Sequence, residues 1–305
     1  MAAQFRVLGI MRLALAFALV ATAALAAVSP AEKEWRAGID DANRHFSADP
    51  HAILKIQDAA YMRNGDTYSL IGVKEKPETY RWEKGSNAKA ALIAGVRDGQ
   101  PFVMFNKHLY AEKDINKGIL VDIGVDVRGE KTQVDAGVIG ARLWVYNQDN
   151  PAAKAFKGLV YYPYDPSYVV TATFKPDPKL PKRIFRTSRG TDKQFYHAGD
   201  ATFTLKGKTF TLPLFAGDND PKKIDSFSAF FTDGLTGKET YGAGRYIDIE
   251  KFGAFPPKTF RMDFNYAYNP NCARSAFYAC PYAVDNIAME VRAGEKDPHK
   301  FGNLH

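Results

Sequence analysis

The sequence predicts a mainly β protein, its antiparallel sheets forming a sandwich or barrel-like core, with one amino-terminal helix after a signal peptide. Three observations carry this reading. Short apolar runs alternate with turn signals roughly every ten residues, the spacing of strands in antiparallel sheets. The 21 Phe and 16 Tyr suit pleated, half-buried surfaces. Only one segment has a well-marked helical pattern, and no strand–helix–strand rhythm appears, which disfavours a parallel α/β scaffold.

The first residues read as an export signal. Arg6 and Arg12 supply a cationic end, Leu13–Val28 is apolar apart from Thr22, and Ala24-Leu25-Ala26 offers small residues to a signal peptidase. The run falls short of the roughly twenty apolar residues a membrane helix needs. Cleavage after about Ala26 removes two arginines and no acid, lowering the formal charge from +7 to +5. A periplasmic or secreted location follows as an expectation. With it come no nucleic-acid partner and no membrane span in the mature form.

Ser29-Pro30-Ala31-Glu32 reads as a helix cap, with proline at the first helical position. Trp35, Ile39, Ala42 and Phe46 follow on one face, so the expected helix is Ala31–Phe46, packed on the sheet after it. Strands are then expected at Ala90–Val96 and Pro101–Phe105 around the tight turn Asp98-Gly99. Ile119–Val127 and a run within Val134–Tyr146 flank Arg128-Gly129-Glu130-Lys131. Val169–Phe174 follows a turn at Asp165-Pro166-Ser167, and Ala201–Leu205 faces Thr209–Phe215 across Lys206-Gly207-Lys208. Phe227–Thr232 and Tyr241–Ile249 complete the series. Asn150-Pro151 begins a short connection. The expected organisation is a signal peptide at 1–26, a helical segment at 27–57, a β subdomain at 58–150 and a β domain at 151–305.

The last eighty or so residues are more specific in texture. Asp233, Gly237, Thr240, Tyr241, Gly244 and Arg245 form one motif. Asp263-Phe264-Asn265, Ala267-Tyr268-Asn269-Pro270 and Cys272 form a second, followed by Cys280-Pro281 and by Ala293-Gly294-Glu295-Lys296. With Tyr161-Tyr162-Pro163, these motifs resemble a bacterial and archaeal family known as domain of unknown function 1684. The resemblance spans roughly 158–296 and implies no activity. Leu235 and Tyr282-Ala283-Val284 depart from the family pattern.

The residues themselves suggest a site. If Tyr241–Ile249 is one strand, Tyr241 and Arg245 leave the same face. Arg245 could then grip Asp263 on the next strand, or a ligand carboxylate. Asp263, Asn265 and Asn269 would share a face if the strand runs that far. The candidate ligand-binding set is therefore Asp233, Tyr241, Arg245, Asp263, Asn265 and Asn269, for a small polar or anionic molecule. The rival readings are a periplasmic hydrolase using Asp233 or Asp263 with Arg245, and a structural envelope protein whose signature locks its fold.

Cys272 and Cys280, the two cysteines of an exported chain, fit a disulfide better than a metal site. Free thiols and a redox pair remain alternatives. His197 could act as a base or as a buried structural residue. Asp218-Asn219-Asp220 only faintly resembles a calcium loop, because Lys222 takes a ligand position. Lys179–Arg189 carries five cations and no acid, which could dock an anionic polymer or mark a solvated edge strand protected by its charges. The nucleophile-elbow, zinc-protease, P-loop and dinucleotide motifs are missing, and no metal or cofactor is expected. Nothing in the pattern sets an oligomeric state. Amino-terminal sequencing of exported protein is expected to begin near Ala27, and material still carrying Met1–Val20 would overturn the export reading.

Overall fold

The computed structural model describes residues 28–250 and 252–302. The expected signal peptide lies outside the described residues. The described residues are 47% strand and 17% helix, well below the helix content of an average globular domain. No helix among the described residues is long and apolar enough to cross a membrane.

The helix α1 spans Pro30–Asn43 and is followed by a wider turn at Arg44–Ala48. Ser29 caps it, accepting the Glu32 N–H at 3.1 Å. Its docking surface differs from the expectation. Trp35 does not pack on the sheet that follows. Its indole N–H donates to the Asn265 carbonyl at 2.9 Å, and its ring meets Tyr161 edge-on at 5.9 Å. The helix thus straps the beginning of the chain to the signature region near its end.

Two sheets form a sandwich from the first strands. One has the order β1 (Ile56–Met62), β9 (Val138–Asn147), β8 (Val125–Asp135), β7 (Ile119–Asp122). The other runs β3 (Lys76–Lys84), β2 (Thr67–Val73), β4 (Leu92–Arg97), β5 (Gln100–Phe105), β6 (His108–Ala111). Met62, Leu70, Val103, Val127 and Leu143 fill the space between them. The tight turn at Asp98-Gly99 is present, with both residues in the left-handed region at φ 52° and 70°. The turn expected at Arg128–Lys131 is not. That stretch continues β8, and the reversal falls at Ala136-Gly137. Gly129 is there for packing, because a Cβ would lie 2.6 Å from Leu143. The reversal that does interrupt the expected strand Ile119–Val127 is at Ile123-Gly124.

The remaining strands build a large sheet ordered β15 (Arg245–Glu250), β14 (Ser226–Asp233), β13 (Lys208–Ala216), β12 (Asp192–Leu205), β10 (Val169–Pro176), β16 (Thr259–Asp263). The cationic strand β11 (Lys182–Arg186) pairs with β12, and β17 (Asp285–Ile287) runs parallel to β14. One face carries the main core, including Phe174, Phe203, Leu214, Phe227, Phe231 and Ile247. The other carries a smaller aromatic cluster of Phe185, Phe215, Phe230 and Tyr246.

A bulge in β12 decides which residues reach that second face. The register shifts between His197 and Gly199, whose φ is 148°. A Cβ at Gly199 would lie 2.3 Å from the Lys175 carbonyl oxygen. Beyond the bulge, Ala201, Phe203 and Leu205 face the main core; before it, Phe195 joins the aromatic cluster. One extra residue has exchanged the faces. For α1, Trp35→Ala is expected to lose about 3–5 kcal/mol in urea unfolding, as large aromatic deletions do. Trp35→Phe should lose only about 1 kcal/mol, because it removes a hydrogen bond and keeps the ring. Equal losses in the two variants would refute the docking assigned to this ring.

Candidate functional site

The six sequence-predicted residues do not converge on one cavity. Arg245 is 1% exposed, and its guanidinium spans three acceptors. It donates to Asp233 Oδ2 at 2.7 Å, to the Val291 carbonyl at 2.9 Å and to the Ala293 carbonyl. Asp233 is satisfied in turn by the Leu235 N–H at 3.0 Å, the Val291 N–H at 3.1 Å and the Thr236 hydroxyl at 3.2 Å. Burial pulls the Arg245 pKa down, and Asp233 works against that shift. This is a clamp closing β14, β15 and the segment before Gly294.

Arg245 therefore pairs with Asp233 and not with Asp263. The reason is topological: β16 pairs with β10, not with β15. Tyr241 is not on β15 either. The strand begins at Arg245, and Tyr241–Gly244 forms a turn closed by the Gly244 N–H donating to the Tyr241 carbonyl at 3.0 Å. Gly244 sits at φ 87°, and a Cβ there would meet Ala283 at 2.4 Å. Tyr241 and Arg245 consequently do not share a strand face.

Asp263 ends β16 and caps a short turn at Phe264–Tyr266, so Asp263 to Asn269 is not one extended face. Its carboxylate accepts the Asn265 N–H at 3.0 Å and pairs with Arg261 at 2.7 Å. Asn265 braces the Asp165 backbone through both ends of its amide, at 3.0 and 2.9 Å. Asn269 donates through Nδ2 to the Lys296 carbonyl at 2.8 Å, while its N–H donates to Glu295 at 2.8 Å. Glu295 also holds Arg274 in a buried ion pair. Gly294 lets this return pass closely, because a Cβ would lie 2.5 Å from the Ala267 carbonyl oxygen. Most of the signature is spent holding the chain to itself.

The two cysteines are free thiols, not the expected disulfide. The Cys272 N–H donates to Cys280 Sγ at 3.2 Å, so the chain brings the thiols together without a bond. His197 lies between two carboxylates, Nδ1 3.2 Å from Asp177 and Nε2 3.1 Å from Asp200, beside a cavity of about 530 Å³. Asp218 and Asp220 accept backbone N–H groups at 2.8 and 3.0 Å, each capping its own turn.

A different cavity, of about 300 Å³, has the attributes of a binding site. Its floor is the second face of the large sheet. Lys193 and Phe195 arrive there because of the β12 bulge, with Ser228 and Phe230 from β14 and Tyr246 and Asp248 from β15. Tyr268 and the segment Tyr278–Pro281 roof it, and Arg142 enters from β9. Arg142 is stacked 4.1 Å over Trp144 and 4.9 Å from Tyr278, and it donates to Glu130 at 2.6 Å. Its Nε is buried without a hydrogen-bond partner among the described residues. Lys193 makes no ion pair among the described residues. Burial lowers its pKa from the ordinary lysine value, and nearby Arg142 adds to the shift. At the far side Asp248 accepts from the Ser228 hydroxyl at 2.6 Å and the Tyr268 hydroxyl at 2.7 Å. The cavity can hold an anion at one end, stack a ring along its walls and accept a hydrogen bond at the other.

None of Asp233, Tyr241, Arg245, Asp263, Asn265 and Asn269 borders this cavity. Sequence reading missed its cations, although Arg142 stood out inside the otherwise apolar Val138–Tyr146 run. Lys193 offered no comparable signal, because its orientation depends on a bulge.

Residues 154–296 match the sequence model of the family described as "Protein of unknown function (DUF1684)", so the chain resembles that family over its carboxy-terminal half. Among solved structures, an uncharacterized protein of Haloarcula marismortui determined by solution NMR is 28% identical. That alignment covers 48% of this chain and 79% of the other, with a TM-score of 0.40. A search of curated proteins found no match.

For the clamp, Arg245→Ala is expected to cost about 3–5 kcal/mol, because it strands the buried Asp233 carboxylate. Arg245→Lys should recover only part of this loss, since one ammonium cannot reproduce the planar fork. A melting temperature like wild type in Arg245→Ala would refute the clamp.

Proposed function

We propose that the protein is exported and binds a small organic anion carrying a flat ring, in the cavity floored by β12, β14 and β15. The observation that carries this reading is Lys193, a largely desolvated ammonium beside Arg142 with no counter-charge of its own. Arg142 is already paired with Glu130, so it is the Lys193 ammonium, in a poorly hydrated site and without an ion pair among the described residues, that favours an anionic guest through a charge-assisted hydrogen bond. The walls define the rest of the ligand. Phe195, Phe230, Tyr246 and Tyr278 offer ring faces and edges, and Asp248 would receive a hydroxyl or amino group. A volume of about 300 Å³ suits a one-ring molecule.

This reading keeps the sequence-based expectation of a polar or anionic ligand and moves the site off the signature side chains. It leaves Asp233 and Arg245 with a structural task. The hydrolase reading draws no support from Asp233 and Asp263, which are buried and bonded to their own neighbours.

Calorimetric titration with 4-hydroxybenzoate, phenyl phosphate and benzyl alcohol tests the proposal. The two anions are expected to bind saturably and the neutral alcohol not to bind. Lys193→Met should weaken the anions about tenfold or more, the loss expected for a charge-assisted contact. Affinity should fall as pH rises through the depressed Lys193 pKa, because only the protonated ammonium attracts the anion. Failure of both anions to bind wild type, or unchanged binding in Lys193→Met, would sink the proposal.

A further inference from the structure

The two thiols carry a chemistry separate from the cavity's electrostatics. Cys272 lies on the short turn Asn271–Ala273, and Cys280 precedes Pro281 at the end of the same irregular segment. The Cys272 N–H donates to Cys280 Sγ at 3.2 Å, which places that sulfur against the Cys272 backbone, and the Cys280 N–H donates to Ser188 Oγ at 3.2 Å, which anchors the Cys280 backbone. The pair is asymmetric. Cys272 is half-buried, whereas Cys280 is 8% exposed.

Their acidities divide the same way. A hydrogen bond from the Cys280 thiol, aided by the Tyr241 hydroxyl and opposed by burial, brings Cys272 down to about 7. The same hydrogen bond, with burial, pushes Cys280 far up. A thiolate is the attacking form of cysteine, so the more accessible sulfur is also the more nucleophilic.

We propose that Cys272 and Cys280 are the reduced half of a thiol–disulfide couple, with Cys272 attacking an external disulfide and Cys280 resolving the product. In the first step the Cys272 thiolate bonds to one sulfur of the external disulfide. The other sulfur leaves as a thiolate and takes up a proton. Once Cys272 is in the mixed disulfide, its sulfur no longer bears the charge that opposed ionisation of Cys280. Cys280 then loses its proton and attacks the Cys272 sulfur. The Cys272–Cys280 bond closes, and the second external thiolate departs and is protonated. The two cysteines lose two electrons and two protons, and the external disulfide gains both as two thiols.

Oxidised glutathione is the probe, with products mapped by peptide mass spectrometry under anaerobic conditions at neutral pH. Wild type is expected to acquire the Cys272–Cys280 bond and keep no glutathione. Cys280→Ser should accumulate glutathione on Cys272. Cys272→Ser should be modified at Cys280 more slowly by about tenfold or more, because its thiol is buried and scarcely ionised. Circular dichroism establishes that each variant is folded. Where a variant does not fold, the pH dependence of iodoacetamide labelling in wild type decides instead, with Cys272 labelled first and at half its maximal rate near the thiol's value of about 7. First modification at Cys280, a lasting glutathione adduct on wild-type Cys272, or two inert thiols in the native protein would each overturn the proposal. Because anion binding is read by calorimetry on reduced protein, failure of either proposal leaves the other standing.

Discussion

The buried pair between Arg245 and Asp233 is the constraint from which the rest of the signature region follows. Moving two charges out of water costs several kcal/mol for each ion, and their attraction offsets this only if the remaining donors and acceptors are also satisfied. Here they are: Arg245 reaches Asp233 and two carbonyls, and Asp233 receives two backbone N–H groups and a hydroxyl. Those partners lie on separate stretches of chain. Satisfying the pair therefore fixes where Val291–Ala293 runs. That in turn sets Gly294 against Ala267 and delivers Glu295 to Asn269 and Arg274. The segment leaving Asn269 starts from a fixed point, and it roofs the cavity and carries both thiols.

The strand pattern was legible in the sequence wherever a two-residue turn joined alternating runs, as at Asp98-Gly99 in the sandwich and Lys206-Gly207 in the large sheet. It was misread where glycine had a different task. Gly129 stands inside β8 because its neighbour Leu143 needs the space, yet beside charged residues it looks like a turn. The helix was legible from its serine cap and apolar stripe. Its docking partner was not, because Trp35 contacts Asn265 across most of the chain length.

The site was harder to read for a related reason. Pairing Arg245 with Asp263 assumed that strands next to each other in sequence are next to each other in the sheet. β16 instead crosses to β10, and the carboxylate that Arg245 uses ends β14, the neighbouring strand in the sheet. The importance of the signature residues was visible; their task was not, since a ligand-gripping arginine and a chain-gripping arginine look alike in sequence. The cavity draws on positions as far apart as Arg142, Lys193, Asp248 and Tyr278. Two of these reach it through features that a pattern cannot display: a bulge that exchanges the faces of β12, and a strand of the sandwich laid against the large sheet.

A sheet with one buried face normally turns its other face to water. Here that face is aromatic, at Phe185, Phe215, Phe230 and Tyr246, and it needs a cover. Tyr268 and the Tyr278–Pro281 stretch supply one, yet they leave a space into which Arg142 and Lys193 bring positive charge. Closer packing of apolar side chains would have served stability better than a partly buried lysine with no ion-pair partner among the described residues. The proposed guest would supply the missing counter-charge. Cys280 borders the same space, in the same covering segment. The proposed disulfide chemistry would act on the cover of the proposed binding site, while the Arg245–Asp233 clamp ties β14, β15 and the Val291–Ala293 return together.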